Sequence, residues 1–312
     1  MPDSPKPRSA PTLLPALASG GAIGFVTPAS AVAREAVDPG LRLLTDHGYR
    51  IVTAPHAFDT NGITAAPEAD RLADIHGFLD DPEIGAIWAL RGGYGTMQLL
   101  EGLDYDRFAA RPRLLVGFSD VTALQWGMFT RIALPTLSGL AVTLQVRADN
   151  PYWPLSHDIL TGRRTAIDDT ALVGERLGVR QPGTAEGWLL GGTLSMICAL
   201  AGTPFFPDTD AIILFIEDIE EPLYRIDRCL RQLALMNFWK RVRGVVLGRF
   251  LWEGRALDAY PLLAPLIGPD IPVLDGMPYG HFAHSLPLPS GVPAVLSTAP
   301  ARLEWAPFLT VA

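Results

Sequence analysis

Cysteine is nearly absent from this chain of 312 residues, which has only Cys198 and Cys229. Two thiols form neither a disulfide framework nor a metal-ligand cluster, and they read as core thiols of a reducing compartment. Positive charge is also scarce: 25 Lys and Arg stand against 33 Asp and Glu, a formal net charge of −8. Nucleic-acid binders normally present a basic face, so no nucleic-acid partner is expected. An anionic substrate would have to be caught by individual arginines, because the overall field repels it. Long apolar runs are missing too. No stretch approaches the length that spans a bilayer, and Leu13–Ala18 is too short and too interrupted by proline for a good signal peptide. The expected location is the cytoplasm, with no membrane partner. Repeats are absent, and low complexity is confined to the Pro- and Ser-rich tip. What is present, 48% hydrophobic and 19% charged residues, suits a globular protein of one large or two medium domains.

Beyond an N-terminal tip (1–12) expected to be disordered, short apolar runs alternate with helical patterns. Ala22–Thr27 reads as a buried strand, and a helix follows to Leu44, closing at His47-Gly48. Tyr49–Thr53 is a strand, Glu68–Leu79 a helix and Ile84–Leu90 a strand. A short helix, Thr96–Leu100, precedes the strand at Leu114–Gly117. This alternation predicts an α/β domain with a mainly parallel sheet over 13–150. Residues 151–184 lose the alternation and read as an irregular crossing between domains. The second domain, 185–312, restarts at Ala185–Thr193. It continues through a helix (Leu194–Leu200), a strand (Ile212–Ile216) and a helix (Leu223–Leu235). A strand (Gly244–Arg249), a short helix (Tyr260–Ile267), a strand (Pro272–Leu274) and an antiparallel tail complete it.

Active sites of parallel sheets lie at the carboxyl ends of strands. Two loops fall at such ends, Arg91-Gly92-Gly93-Tyr94-Gly95 and Gly117-Phe118-Ser119-Asp120. Ser119 sits on a strand-to-helix turn, where a hydroxyl is exposed and the first peptide N–H groups of the next helix are unpaired. Locally, a helix-cap role for Ser119 or Asp120 is the commoner explanation. Glu217 ends an apolar strand, although Asp218, Glu220 and Glu221 make a plain acidic loop an equal reading. His281 lies in a Pro- and Gly-dense loop, where most histidines face solvent. Taken together, Ser119, Glu217 and His281 supply a nucleophile, a carboxylate and a base. His281 and His284 lack a third ligand, so no metal is expected. Gly20–Gly24 precedes its strand instead of following it, so no dinucleotide cofactor is expected either. The turn at Ser119 lacks the last glycine of a nucleophile elbow, which argues against an α/β-hydrolase proper.

Four stretches, in order, resemble the LD-carboxypeptidases, serine peptidases that include murein tetrapeptide carboxypeptidases and microcin C immunity proteins. They are Arg91–Gly95, Val116–Leu124, Leu214–Asp218 with Pro222–Arg228, and Pro278–His281 with Leu288–Gly291. The similarity runs from about Leu14 to the end of the chain. It implies a Rossmann- or flavodoxin-like N-terminal domain carrying the nucleophile, a smaller α/β C-terminal domain, no cofactor and a homodimer. It also implies Ser119 as nucleophile, His281 as base and acid, Glu217 as the group orienting His281, and the N–H groups of Gly93 and Asp120 as the oxyanion hole. Where the family commonly has Gly-Gly-Asn, this chain has Gly191-Gly192-Thr193, a change expected to be structural.

The activity implied is hydrolysis of an L,D-amide, releasing terminal D-alanine from a muropeptide tetrapeptide in peptidoglycan recycling. Arg91 and Arg225 are candidates for holding the terminal carboxylate. Two alternatives remain. One is hydrolysis of a microcin-like acyl-adenylate, which an aromatic such as Trp188, Trp153 or Tyr152 stacked on a nucleobase would favour. The other is a catalytically inactive muropeptide-binding protein.

Overall fold

The computed structural model describes residues 12–310, so the expected disordered tip, apart from Thr12, lies outside the described residues. The first sheet is built from β1 (Ala22–Val26), β2 (Arg50–Thr53), β3 (Ile84–Ala89), β4 (Leu114–Gly117) and β5 (Thr136–Ser138). Between them run α1 (Arg34–Asp46), α2 (Glu68–Asp80), α3 (Tyr105–Ala110) and α4 (Thr122–Ile132). These five strands are all parallel, in the order β5-β4-β3-β1-β2. Strands β1 and β4 are buried at every position, which is why they read as unbroken apolar runs. The short helix expected at Thr96–Leu100 is a 3-10 turn, Thr96–Leu99. Helix α3 and strand β5, six and three residues long, were not foreseen because such short elements show no periodicity.

Residues 151–184 are more ordered than the irregular crossing expected of them. They hold α5 (Trp153–Leu160), β6 (Ala166–Asp168) and β7 (Gly178–Gln181). All of their prolines and glycines except Gly174 lie near the ends of these elements, and proline in the first turn of α5 costs no hydrogen bond. The rest of the chain supplies β8 (Thr184–Thr193), α6 (Leu194–Leu200), β9 (Ile212–Ile219), α7 (Leu223–Leu235), β10 (Val242–Trp252) and β11 (Arg255–Leu257). It ends with α8 (Tyr260–Leu263), β12 (Val273–Asp275), β13 (Leu288–Ser290), β14 (Val292–Thr298) and β15 (Ala301–Trp305). The second sheet is mixed, in the order β6-β15-β14-β8-β9-β10-β12-β7, with β11 paired to β10. Its centre, β8-β9-β10-β12, is parallel, and its flanks are antiparallel. The protein is thus a two-domain α/β fold, with a mostly parallel first sheet and a mixed second one.

The two sheets are stitched together by the chain itself. Strand β13 crosses back and pairs antiparallel with β5 at the edge of the first sheet, Leu288 opposite Ser138. The Trp126 indole N–H of α4 donates to the Gly191 carbonyl of β8 at 2.9 Å, and Ser138 Oγ bonds Tyr279 Oη at 2.7 Å. These contacts fix the carboxyl ends of both sets of parallel strands against one another. No helix among the described residues is long and apolar enough to cross a membrane.

Candidate active site

Ser119 is the first residue after the Phe118 that leaves β4, and it has φ of +64°. A left-handed backbone at a residue with a Cβ costs about 1–2 kcal/mol, so the surroundings must hold it there. They do so through close packing. A Cβ on Gly92 would lie 2.7 Å from Ser119 Cβ, 2.8 Å from the Phe118 carbonyl oxygen and 3.1 Å from the Asp120 nitrogen. The glycine-rich loop therefore presses its bare backbone onto the serine turn. Gly93, φ +118°, instead faces Ser30. Ser30 Oγ accepts the Tyr94 N–H at 3.1 Å and donates to the Ile63 carbonyl.

Asp120 is buried and binds the same loop from the other side. Its carboxylate accepts the Thr96 N–H at 2.8 Å, and its carbonyl accepts Thr96 Oγ1 at 2.5 Å. Burial raises its pKa, a tendency the Thr96 hydrogen bonds and the charge of Arg71 oppose. Buried Arg71 gathers the loops beneath: its guanidinium donates to the carbonyls of Pro28, Ala66 and Gly95 and to Gln98. Nothing in the local sequence marks Arg71 out, because its partners are three backbone carbonyls and one side chain remote from it in sequence or outside its helix.

Glu217 and Asp218 are not loop residues. They lie inside β9, fully buried and 3% exposed. A buried carboxylate is tolerated only when its oxygens are satisfied, and each oxygen here is. Glu217 Oε2 accepts His281 Nδ1 at 2.7 Å, and Oε1 accepts Thr193 Oγ1 at 2.6 Å. Asp218 accepts the Ser195 N–H and hydroxyl and the Ile219 N–H. Burial first, then the neighbouring Glu217 charge, pushes the Asp218 carboxyl up to about 7.

His281 comes from the loop between β12 and β13, yet its side chain is only 13% exposed. Burial disfavours its charged form, but the charge and hydrogen bond of Glu217, with a contribution from Asp218, outweigh that and hold its pKa above the ordinary range. With Nδ1 committed to Glu217, Nε2 is the nitrogen left for proton transfer. The Phe118 ring packs on the imidazole with centroids 4.4 Å apart, which seats His281 beside the serine turn. Among the described residues, no hydrogen bond joins Ser119 Oγ to His281. Gly280, φ +147°, lets the chain pass close to Glu217 Oε2 and the Arg249 carbonyl. Phe282, which follows His281, is covered by the Arg249 guanidinium at 4.1 Å. Arg249 in turn pairs with Glu175, so the 151–184 segment reaches the edge of this site.

The candidate arginines fall differently. Arg91 leads into the glycine-rich loop, and its side chain donates to the Ala31 carbonyl at 3.2 Å. Arg225 lies on an exposed face of α7, paired with Glu221. Of the aromatics considered for a nucleobase, Tyr152 and Trp153 are buried, and Trp188 packs on Phe129 at 5.4 Å. No group of three or more His, Cys, Asp or Glu capable of holding a metal occurs among the described residues.

Comparison with known proteins shows what the chain is similar to. Residues 23–139 match the LD-carboxypeptidase N-terminal domain, and residues 186–296 match the LD-carboxypeptidase C-terminal domain. The chain is 34% identical to a murein tetrapeptide carboxypeptidase of Pseudomonas aeruginosa, over 91% of this chain and 95% of that protein. A crystal structure of muramoyltetrapeptide carboxypeptidase from Oxalobacter formigenes superposes with a TM-score of 0.79 at 28% identity, covering 93% of this chain and 100% of that one. The microcin C7 self-immunity protein MccF, solved with glutamyl sulfamoyl guanosine, shares the fold. Its TM-score is 0.87 at 24% identity, with 96% of this chain and 100% of that one covered.

Proposed function

The chain belongs to the LD-carboxypeptidase family, and from that premise we propose that it is a serine carboxypeptidase acting on an L,D-amide of a muropeptide. The observation that carries this reading is the buried Glu217–His281 pair, delivered from the second domain onto the strained Ser119 turn of the first. Ser119 Oγ attacks the scissile carbonyl while His281 Nε2 takes its proton. Glu217 holds the imidazole with Nδ1 protonated and stabilises the imidazolium that forms. The developing oxyanion is received by the N–H groups of Asp120 and Gly93. His281 then protonates the leaving amine, and water, deprotonated by the same imidazole, releases the acyl group.

The substrate in this reading is a peptidoglycan tetrapeptide losing its terminal D-alanine. The similarity to the murein tetrapeptide carboxypeptidase supports it. The packing of Tyr152, Trp153 and Trp188 against other side chains favours it over an acyl-adenylate. The intact Glu217–His281 pair favours an enzyme over an inactive binding protein. Recognition of the terminal carboxylate is assigned to an arginine, with Arg91, at the foot of the glycine-rich loop, preferred to the exposed Arg225. A cytoplasmic place of action and a homodimer belong to the same proposal, and sedimentation velocity tests the second. The decisive assay is D-alanine release from a tetrapeptide ending in D-Ala, run beside Ser119→Ala and an aminoacyl-sulfamoyl adenosine. Release by the wild type alone supports the proposal; equal release by the variant, or none by either, refutes it.

A further inference from the structure

Between the two halves of the site lies one residue that touches both. Thr193 ends β8 directly opposite Glu217 of β9 in the parallel register. Its hydroxyl donates to Glu217 Oε1 at 2.6 Å. Its backbone N–H donates to Thr122 Oγ1 at 3.2 Å. Thr122 opens α4 three residues after Ser119, so the two bonds of Thr193 run to the carboxylate on one side and to the nucleophile's helix on the other. The approach is close enough that a Cβ on the preceding Gly192, φ +136°, would run into Thr122 Oγ1. A second rivet, the Trp126 N–H to the Gly191 carbonyl, holds the same strand end to the same helix. Thr193 is 4% exposed, and its β-branched side chain has few rotamers to explore.

We propose that Thr193 is a positioning residue that sets the Glu217–His281 pair in register with Ser119. The role rests on the serine-hydrolase reading above. Glu217 is itself one step removed from the reacting atoms, so its orientation must be fixed if it is to fix the imidazole. Two donors do this: His281 Nδ1 on Oε2 and Thr193 Oγ1 on Oε1. Without the Thr193 hydroxyl, Oε1 becomes a buried acceptor with no partner, a state that proteins avoid. The orientation of the carboxylate is then set by His281 alone, and the charge formerly shared with Thr193 is concentrated on the oxygen facing the imidazole. The imidazolium is better stabilised, and the histidine titrates at a higher pH.

The test uses Thr193→Val, which keeps the shape and removes the hydroxyl, with Thr193→Ser as the conservative rescue. Thr122→Val, which removes only the acceptor of the Thr193 N–H, is the third variant. In the substrate-free protein, His281 is followed by histidine NMR through a pH titration, and Ser119 by its rate of labelling with a serine-directed phosphonate. Thr193→Val is expected to move the His281 titration to higher pH and to slow labelling at neutral pH by about tenfold, the equivalent of one ordinary hydrogen bond. Thr193→Ser restores both. Thr122→Val leaves the His281 titration in place and slows labelling. A wild-type titration in Thr193→Val overturns the proposal, as does a Thr193→Ser variant that behaves like valine. Because the titration needs no substrate, this result stands apart from tetrapeptide cleavage, which tests the functional reading itself.

Discussion

Replacing Gly92 with alanine adds one methyl group where the glycine-rich loop meets the serine turn. Gly92 does not have a positive φ, so the backbone accepts the new residue and the whole penalty comes from contact. The added carbon would sit 2.7 Å from Ser119 Cβ and 2.8 Å from the Phe118 carbonyl oxygen, whereas carbon atoms rest at about 3.5–4.0 Å. Neither neighbour is the loose end of a side chain. One is backbone, and the other is the Cβ of a residue already held at a left-handed φ. The loop and the serine turn must therefore part by most of an ångström. Overpacking of this kind costs about 1–3 kcal/mol, and a displacement of that size at reacting atoms costs about a hundredfold in rate. The measurement is phosphonate labelling of Ser119 together with denaturant unfolding of the same preparation. Labelling is expected to fall by about two orders of magnitude while the loss of stability stays within about 3 kcal/mol, leaving the protein folded. A Gly92→Ala protein labelled at the wild-type rate would show that the loop does not hold the nucleophile, and the account of the strained turn would be wrong.

Other expectations concern the same site and one distant cluster. Ser119→Gly should be more stable than Ser119→Ala by about 0.5–1 kcal/mol, because glycine relieves the left-handed strain and gives back part of the gain as chain entropy; equal stability by denaturant unfolding would remove the strain. Glu217→Gln should lower kcat by on the order of a thousandfold or more. It should also shift the acidic limb of kcat/KM to lower pH, since burial then acts on His281 unopposed by the carboxylate. In the wild type that limb lies above the ordinary histidine range, because the raised pKa keeps the imidazole protonated, and so unable to act as a base, until the pH exceeds it. Away from the site, His157 accepts from Arg163 at Nδ1 and meets the Tyr49 hydroxyl at Nε2, with the His47 ring 5.0 Å away. Burial, then the charges of His47 and Arg163, lower its pKa. A folded value below the unfolded one means stability is intact above about pH 6.5 and declines as pH falls below it. Denaturant unfolding between about pH 7 and 5 should show this slope, and His157→Gln should flatten it; an unchanged slope would assign it elsewhere.

The residues of the candidate site were picked out in the sequence by occurring together and by the resemblance, since locally each also read as a helix cap, an acidic loop or a solvent-facing histidine. Ser119 follows an apolar run at a strand-to-helix turn, Glu217 terminates another such run, and His281 follows Pro278-Tyr279-Gly280. The parallel character of the first sheet was legible because strands buried on both faces are unbroken apolar runs. The extent of β9 was not legible. Glu217 and Asp218 look like the start of an acidic loop, and only the hydroxyls, N–H groups and imidazole brought by β8, α6 and the His281 loop allow two carboxylates to remain inside a strand. The order within 151–184 was hidden too, because β6 and β7 are short flanking strands whose partners, β15 and β12, lie far along the chain.

Gly92 and Thr193 mark the same boundary from another side. The sequence placed Gly92 in a glycine-rich loop and Thr193 in a departure from the commoner Gly-Gly-Asn. Nothing local distinguished Gly92 from Gly93, or tied Thr193 to a carboxylate 24 residues on. Composition and periodicity determined that this chain builds an α/β protein, and the resemblance added a serine, a carboxylate and a histidine as its candidate site. Which glycine touches the nucleophile, which hydroxyl holds the carboxylate and which helix meets which sheet depend on contacts between residues remote in sequence. Those contacts exist only once both sheets have packed, because close approach and hydrogen-bond direction are properties of the assembled backbone and not of any segment of it.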